Sequence, residues 1–246
     1  MEIELPVFKD RVNVFENCRN IYEGYQRGWG LQFGGLKEQV LQDPLYQESC
    51  NLIAGRSIVT EENRMNLFLI IKFFLPKLAS KNIIEFGSYR GGSAIFMANC
   101  LQKLYPEAYL YALDSYEGMP VTDKKLDLHE QGDFSDVNLD EISGYAKSVG
   151  IDNVRFVKGV FEDTLPEILQ EGTQFGLAHV DCDIYSAVAY SQDKVYPQLC
   201  AGGYLVYDDA CVSSCIGATQ AVEEFMIQRK QHSEQIWPQF VFRKQV

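Results

Sequence analysis

The chain has 246 residues, enough for one large α/β domain, and carries a formal net charge of −12. That excess of carboxylates repels nucleic-acid phosphates and anionic lipid surfaces, so neither is an expected partner. A hydrophobic fraction of 46% against 23% charged residues excludes a disordered chain and is ordinary for a soluble globular protein.

The first residues, MEIELPVFKDR, lack the apolar run of a secretory leader. The most apolar stretch, residues 65–75, is short and interrupted by Lys72, so it is not expected to span a bilayer. The seven cysteines are scattered without a CxxC pair and read as reduced thiols of a cytoplasmic protein. Cys211 and Cys215 lie four apart. They read as structural or incidental, because no other cysteine or histidine cluster completes a metal site in the sequence.

Residues 1–60 mix aromatics (Phe15, Tyr22, Tyr25, Trp29 and Phe33) with polar residues and glycines. They are expected to form helices and loops ahead of a main domain at 61–246. Between 61 and 78 the apolar residues Leu67, Ile70, Ile71, Phe74 and Leu75 recur at helical spacing, with Thr60 placed as an N-cap. Beyond that point short apolar runs at 82–86, 109–114, 154–158, 175–181 and 203–208 alternate with helical stretches at 93–104, 139–149, 161–171 and 186–198. Such alternation predicts an α/β fold, with a mostly parallel central sheet and helices on both faces. A further helix at 218–229 and a further strand at 240–243 close the chain.

The first strand–loop–helix unit reads IIEFGSYRGGSA. Glu85 closes the strand, Gly87, Gly91 and Gly92 make the turn, and Ser93 opens the helix. Glycines there let backbone approach a ligand closely, beneath the positive end of a helix. A dinucleotide loop would read GxGxxG. This loop reads GxxxGG, with Tyr89 at the position of the middle glycine, and fits the wider loop wrapped around adenosylmethionine. Asp114 ends the second strand 27 residues after Gly87, where an acidic residue can accept from both ribose hydroxyls; capping a helix is the alternative task. Gly159, Val160 and Phe161 follow the third strand and can form an apolar slot for a flat base, or simply pack in the core.

The fourth strand ends HVDCDIYSA and the fifth ends YLVYDDA. Asp181, Asp183, Asp208 and Asp209 thus gather at the carboxyl edge of the sheet, where open α/β sheets bind ligands. Four carboxylates there repel one another unless a cation intervenes, and all-oxygen ligation selects a hard cation such as Mg²⁺ or Ca²⁺. Asp208 and Asp209 are adjacent, so both reach one cation only if the chain turns there. His179 lies inside the strand and reads as a packed core histidine before it reads as a base.

The blocks EFGSYRGGSA, LDSYEGMP, GDFSDV, VKGVFEDTLPEIL, HVDCDIYSA, YPQLCAGGYLVYDDA and GATQAVEEF occur in one order between 82 and 226. In this the chain resembles the TylF/MycF family of macrocin-type O-methyltransferases. The resemblance implies a Rossmann-like class I methyltransferase fold, S-adenosylmethionine as donor, Mg²⁺ as cofactor and, by family habit, a homodimer. It implies a donor site of Glu85, Gly87, Ser88, Tyr89, Gly91, Ser93, Asp114, Ser115, Gly159, Val160, Phe161 and Asp181. It also implies metal ligands at Asp181, Asp208 and Asp209, with Asp183 as the base. Residues 1–60 fall outside the match and are expected to form a helical lid that shapes the pocket of a small hydroxylated acceptor. Two positions depart from the family: Cys182, where glycine is usual, and Ala210, where a larger residue is common. The competing readings are a catechol-type metal-dependent O-methyltransferase, an NAD-dependent oxidoreductase on a similar sheet, and a non-catalytic binding or assembly protein.

Overall fold

The computed structural model describes residues 35–170 and 172–245, together with Leu31 and the backbone of two short antiparallel strands, β1 (Phe15–Glu16) and β2 (Arg19–Asn20). The side chains of Phe15, Tyr22, Tyr25, Trp29 and Phe33 lie outside the described residues. Six strands form the central sheet: β3 (Ile83–Phe86), β4 (Leu110–Asp114), β5 (Val154–Lys158), β6 (Phe175–Val180), β7 (Leu199–Tyr207) and β8 (Phe240–Arg243). Their spatial order is β5-β4-β3-β6-β7-β8, with β8 alone antiparallel. The expected mostly parallel sheet, including the last strand, is therefore what the chain forms.

Alternate residues along these strands feed two cores. Ile83, Leu110, Ala112, Leu177 and Val206 face one layer, built from α2 (Pro44–Leu52), α3 (Glu61–Leu69) and α4 (Gly92–Leu104), with α1 (Leu36–Leu41) and α5 (Leu139–Ser148) at its margin. Ile84, Tyr111, Leu113, Ala178 and Leu205 face the other, built from α6 (Phe161–Gln170), α7 (Tyr185–Val195) and α8 (Ile216–Arg229). Burial on both faces is why the strands read as continuous apolar runs.

Local chemistry sets the helix ends. Thr60 accepts from Asn63 N at 3.3 Å to cap α3, and Asn138 accepts from Asp140 N and Glu141 N at 3.0 and 3.2 Å to cap α5. The expected single helix over 61–78 is not formed. The chain widens into a π turn at Ile70–Phe74 and tightens into a 3₁₀ turn at Leu75–Lys77. Pro76 has no N–H for the carbonyl four residues earlier, and its ring displaces that carbonyl from the helical ladder. β7 begins earlier than expected, at Leu199 rather than near Gly203, through a register irregularity against β6.

The chain runs outward from β3 through β4 to β5, then returns to the far side of β3 as β6. The order of strands thus reverses between β3 and β6, and their carboxyl ends leave a crevice where the connections part in opposite directions. No helix of the described residues is long and apolar enough to cross a membrane.

Candidate functional site

A cavity of about 550 Å³ opens at that crevice. Its walls come from five connections: the glycine loop after β3, the long connection after β4, the turn after β5, and the segments after β6 and β7. The segment 56–60 ahead of α3 completes it. The volume suits a small molecule rather than a macromolecule.

The glycine loop is held by its closest neighbours. Gly87 has φ +87°, and a Cβ there would stand 1.7 Å from the carbonyl oxygen of Asp181. Backbone from β3 and backbone from β6 therefore touch at this point. Gly91 caps α4 at φ +73°, and a Cβ on it would meet Ile142 at 2.6 Å. Asp114, at the end of β4, has a task the sequence did not reveal. Its Oδ2 accepts from Ser88 N and Tyr89 N, both at 2.8 Å, and its Oδ1 accepts from Tyr116 N at 2.7 Å. One carboxylate thus clamps the turn in which Tyr89 adopts a left-handed φ of 46°. Bonds from N–H groups to a charged acceptor contribute about 1.5–3 kcal/mol each. Asp114→Ala is expected to loosen this loop and weaken donor binding by about tenfold or more, read by calorimetric titration with adenosylmethionine. Unchanged affinity would show that the clamp is dispensable.

Of the residues expected around a donor, Gly87, Ser88, Tyr89, Ser93, Asp114, Ser115, Gly159, Val160, Phe161 and Asp181 line the cavity, and Gly91 supports it from behind. Glu85 does not line it. Its side chain is fully buried on the sheet face toward α3, where Oε1 lies 3.1 Å from Nδ1 of His179, its cross-strand neighbour. His179 in turn reaches Oδ1 of Asp208 at 3.3 Å. Burial alone would depress the imidazole pKa, but the carboxylates of Asp208 and Glu85 outweigh it and raise it to about 9. A buried imidazole thus sits beneath the acidic cluster, held between the carboxylates of Glu85 and Asp208 and outside the cavity wall. Gln239 adds to this support: its Nε2 donates to Asp208 Oδ1 at 2.6 Å, and its Oε1 accepts from Asn66 of α3 at 2.9 Å.

Asp181, Asp208 and Asp209 are brought together, with carboxylate oxygens all within 4.8 Å of one another. β7 ends at Tyr207, so Asp208 and Asp209 lie in a bend where adjacent side chains need not point apart. The turn required for both to reach one cation is present. Burial, followed by the neighbouring carboxylates, holds the pKa of Asp181 and Asp209 well above the usual range. Oxygen donors whose charges repel when empty fit a hard divalent cation.

Asp183 takes a left-handed conformation, φ +59°, with its N–H donating to Asp209 Oδ2 at 2.8 Å. Its carboxylate lines the cavity, close to His129 and Cys215. Burial raises its pKa, and His129 and the Cys215 thiol act against that rise. Cys182 is buried in the core that packs beneath α7 and also lines the cavity beside Asp181 and Asp183, and its position requires no glycine conformation. Ala210 is buried in the same core.

His129 and Asp127 were not singled out in the sequence. Both lie in the connection between β4 and α5, which has no periodic pattern to mark it. Asp127 is buried, and its Oδ1 accepts from Tyr185 N at 2.8 Å, supplying α7 with the cap that Ile184 lacks and pinning the connection over the cavity.

Residues 58–237 match the family described as Macrocin-O-methyltransferase (TylF). The chain is 29% identical over 160 residues to the 8-demethyl-8-(2,3-dimethoxy-alpha-L-rhamnosyl)-tetracenomycin-C 4'-O-methyltransferase of Streptomyces olivaceus, covering 61% of this chain and 60% of that protein. It is 30% identical over 157 residues to the mycinamicin III 3''-O-methyltransferase of Micromonospora griseorubida, covering 58% and 59%. The chain thus spans about 60% of the length of these curated relatives. In fold it resembles the solved O-methyltransferase NovP, with a TM-score of 0.68 at 20% identity over 90% of this chain and 100% of that one. The calicheamicin methyltransferase CalS11 gives a TM-score of 0.65 at 18% identity over 90% and 91%. Sheet order, cavity and a match across most of the chain agree: this protein belongs to the TylF macrocin-O-methyltransferase family.

Proposed function

We propose that the protein transfers a methyl group from S-adenosylmethionine to a hydroxyl of a small natural product, a sugar or polyketide-type acceptor, with Mg²⁺ held by Asp181, Asp208 and Asp209 and Asp183 as the base. The observation that carries this reading is the junction of β3 and β6. There the glycine loop and the three-aspartate cluster face one cavity, so a donor and a hydroxyl can meet. The named activities of the relatives, which include methylation of rhamnosyl and mycinamicin hydroxyls, support a glycosylated acceptor. Residues 56–60 line the same cavity, which supports a role for the N-terminal segment in shaping the acceptor pocket. The cysteines among the described residues are free thiols, in keeping with a reducing cytoplasm.

In this mechanism the walls of the cavity hold the acceptor oxygen in line behind the methyl group, and alignment of that kind lowers a barrier by as much as about 7–11 kcal/mol. Bound Mg²⁺ supplies Lewis acidity that lowers the pKa of a nearby hydroxyl. The Asp183 carboxylate accepts the hydroxyl proton as the C–O bond forms and the C–S bond breaks. The products are the methyl ether, S-adenosylhomocysteine and protonated Asp183. His129 and Cys215, beside that carboxylate, keep it oriented while it waits.

Calorimetry with adenosylmethionine and a methyl-transfer assay over sugar, polyketide and catechol acceptors test this reading. Donor binding and transfer to glycosylated acceptors are expected, with activity abolished by EDTA and restored by Mg²⁺. Absence of donor binding would overturn the function. Transfer undiminished in metal-free protein would remove the cation from it, and preference for simple catechols would favour the catechol-type reading.

A further inference from the structure

His129, Asp183 and Cys215 converge from three separate connections: the segment after β4, the turn after β6 and the residue that precedes α8. Nε2 of His129 lies 3.6 Å from Oδ1 of Asp183, Sγ of Cys215 lies 3.4 Å from the same oxygen, and Sγ and Nε2 are 3.8 Å apart. The nitrogen–oxygen separation is too long for a good hydrogen bond, whose range ends near 3.2 Å. It is close to the edge of a coordination tetrahedron. Zinc bonds of about 2.0 Å to nitrogen and oxygen and about 2.3 Å to sulfur give edges of roughly 3.3 Å between nitrogen and oxygen and roughly 3.5 Å from sulfur to either. We infer that these three residues form a second cation site, chemically distinct from the three-aspartate cluster, that takes a borderline-soft divalent ion of the Zn²⁺ class.

The surroundings of His129 point the same way. Its Nδ1 lies 3.2 Å from Oδ2 of Asp133, an oxygen that also accepts from Glu130 N at 3.0 Å. A carboxylate at Nδ1 holds the proton there and leaves the Nε2 lone pair facing the cluster, the arrangement that supports metal-binding histidines. The donor sets of the two sites differ in kind. Three carboxylates suit Mg²⁺, whereas one nitrogen, one oxygen and one sulfur suit Zn²⁺. Asp183 lines the cavity while Cys215 is only 2% exposed, so the ion enters from the cavity side, and a fourth coordination position is left for water or an acceptor oxygen. Burial raises the Cys215 thiol pKa, so the thiol remains protonated until a cation displaces its proton.

Occupation of this site withdraws Asp183 from proton transfer. That consequence rests on the proposed role of Asp183 as base; the site itself does not. Zinc then inhibits the enzyme even when Mg²⁺ is saturating.

The test is a Co²⁺ titration of the full chain in excess Mg²⁺, followed by absorbance. Co²⁺ bound to a thiolate gives an intense charge-transfer band, which oxygen ligation does not. One Co²⁺ per chain with that band is expected. Cys215→Ser should abolish the band, while His129→Gln and Asp133→Asn should each weaken Co²⁺ affinity by about tenfold or more. Thermal melts of each variant show whether it is folded, and the His129 and Asp133 variants carry the test if the Cys215 variant is not. A wild-type protein without the band, or a band that survives Cys215→Ser, overturns the proposal. In the methylation assay Zn²⁺ should slow the wild type at least about tenfold, with the ratio near unity in Cys215→Ser. A one-to-one band with no inhibition would leave the site standing and remove Asp183 from its role as base.

Discussion

Asp183→Asn, with Asp183 as the proposed base, is expected to lower kcat by about 10²–10⁴-fold, the range typical of a lost general base, and to leave adenosylmethionine affinity almost unchanged. The substitution is well controlled. Asparagine tolerates the left-handed region that Asp183 occupies, so the turn between β6 and α7 and its bond to Asp209 survive. What is lost is a carboxylate able to take the proton. The wild-type profile is expected to carry the complementary signature. Burial raises the pKa of Asp183, so the fraction of active base falls as pH is lowered through that raised value. The rate is therefore expected to climb with pH and level off, with the acidic limb due to this group missing in the asparagine variant. Near-normal turnover of Asp183→Asn would exclude it as the base.

The second large effect belongs to Gly87→Ala. A methyl group there would overlap the carbonyl of Asp181, which is backbone and cannot swing aside, at a residue whose φ is +87°. The left-handed conformation costs an alanine about 1–2 kcal/mol, and overpacking adds about 1–3 kcal/mol. For a chain of this size the sum lowers Tm by on the order of 10 °C. Because the contact joins the glycine loop to Asp181, the residue that follows β6, donor binding is expected to fall with it. A thermal melt and a donor titration read both effects. A variant with unchanged Tm and affinity would mean that the two backbones can part freely.

Periodic signals in the sequence were strong where a segment is buried on both faces or on one stripe. The strands from Ile83 to Phe86 and from Val154 to Lys158 and the helix from Gly92 to Leu104 could be located within a residue or two. The π and 3₁₀ turns of 70–77 could not, because hydrophobic spacing continues through them while Pro76 changes the hydrogen bonding. Asp181, Asp208 and Asp209 could be grouped because they directly follow strands, and strand ends share an edge. Glu85 could not be separated from the donor site by the same logic. Its side chain is buried beside His179 and within 4.8 Å of Asp181, beneath the cavity rather than in its wall, and only the cross-strand register with His179 reveals the partner. His129 was hidden for a different reason: its position depends on the path of a long connection anchored by Asp127 to α7.

That anchoring has a consequence for how such a protein can diversify. The strands and the glycine loop hold the acidic edge, whereas segments 56–60 and 118–121 and Phe134 line the cavity from connections. Connections tolerate substitution and length change more readily than sheet residues do. Two fixed points, Asp127 on the amide of Tyr185 and the Tyr89 hydroxyl on Asp136 at 2.7 Å, keep the longer of these segments in place. Ahead of those points, at 118–121, the chain can be exchanged for another of different shape while the sheet remains as it is. Altered acceptor preference is therefore best sought by grafting there, with Asp127, His129, Asp133 and Asp136 retained.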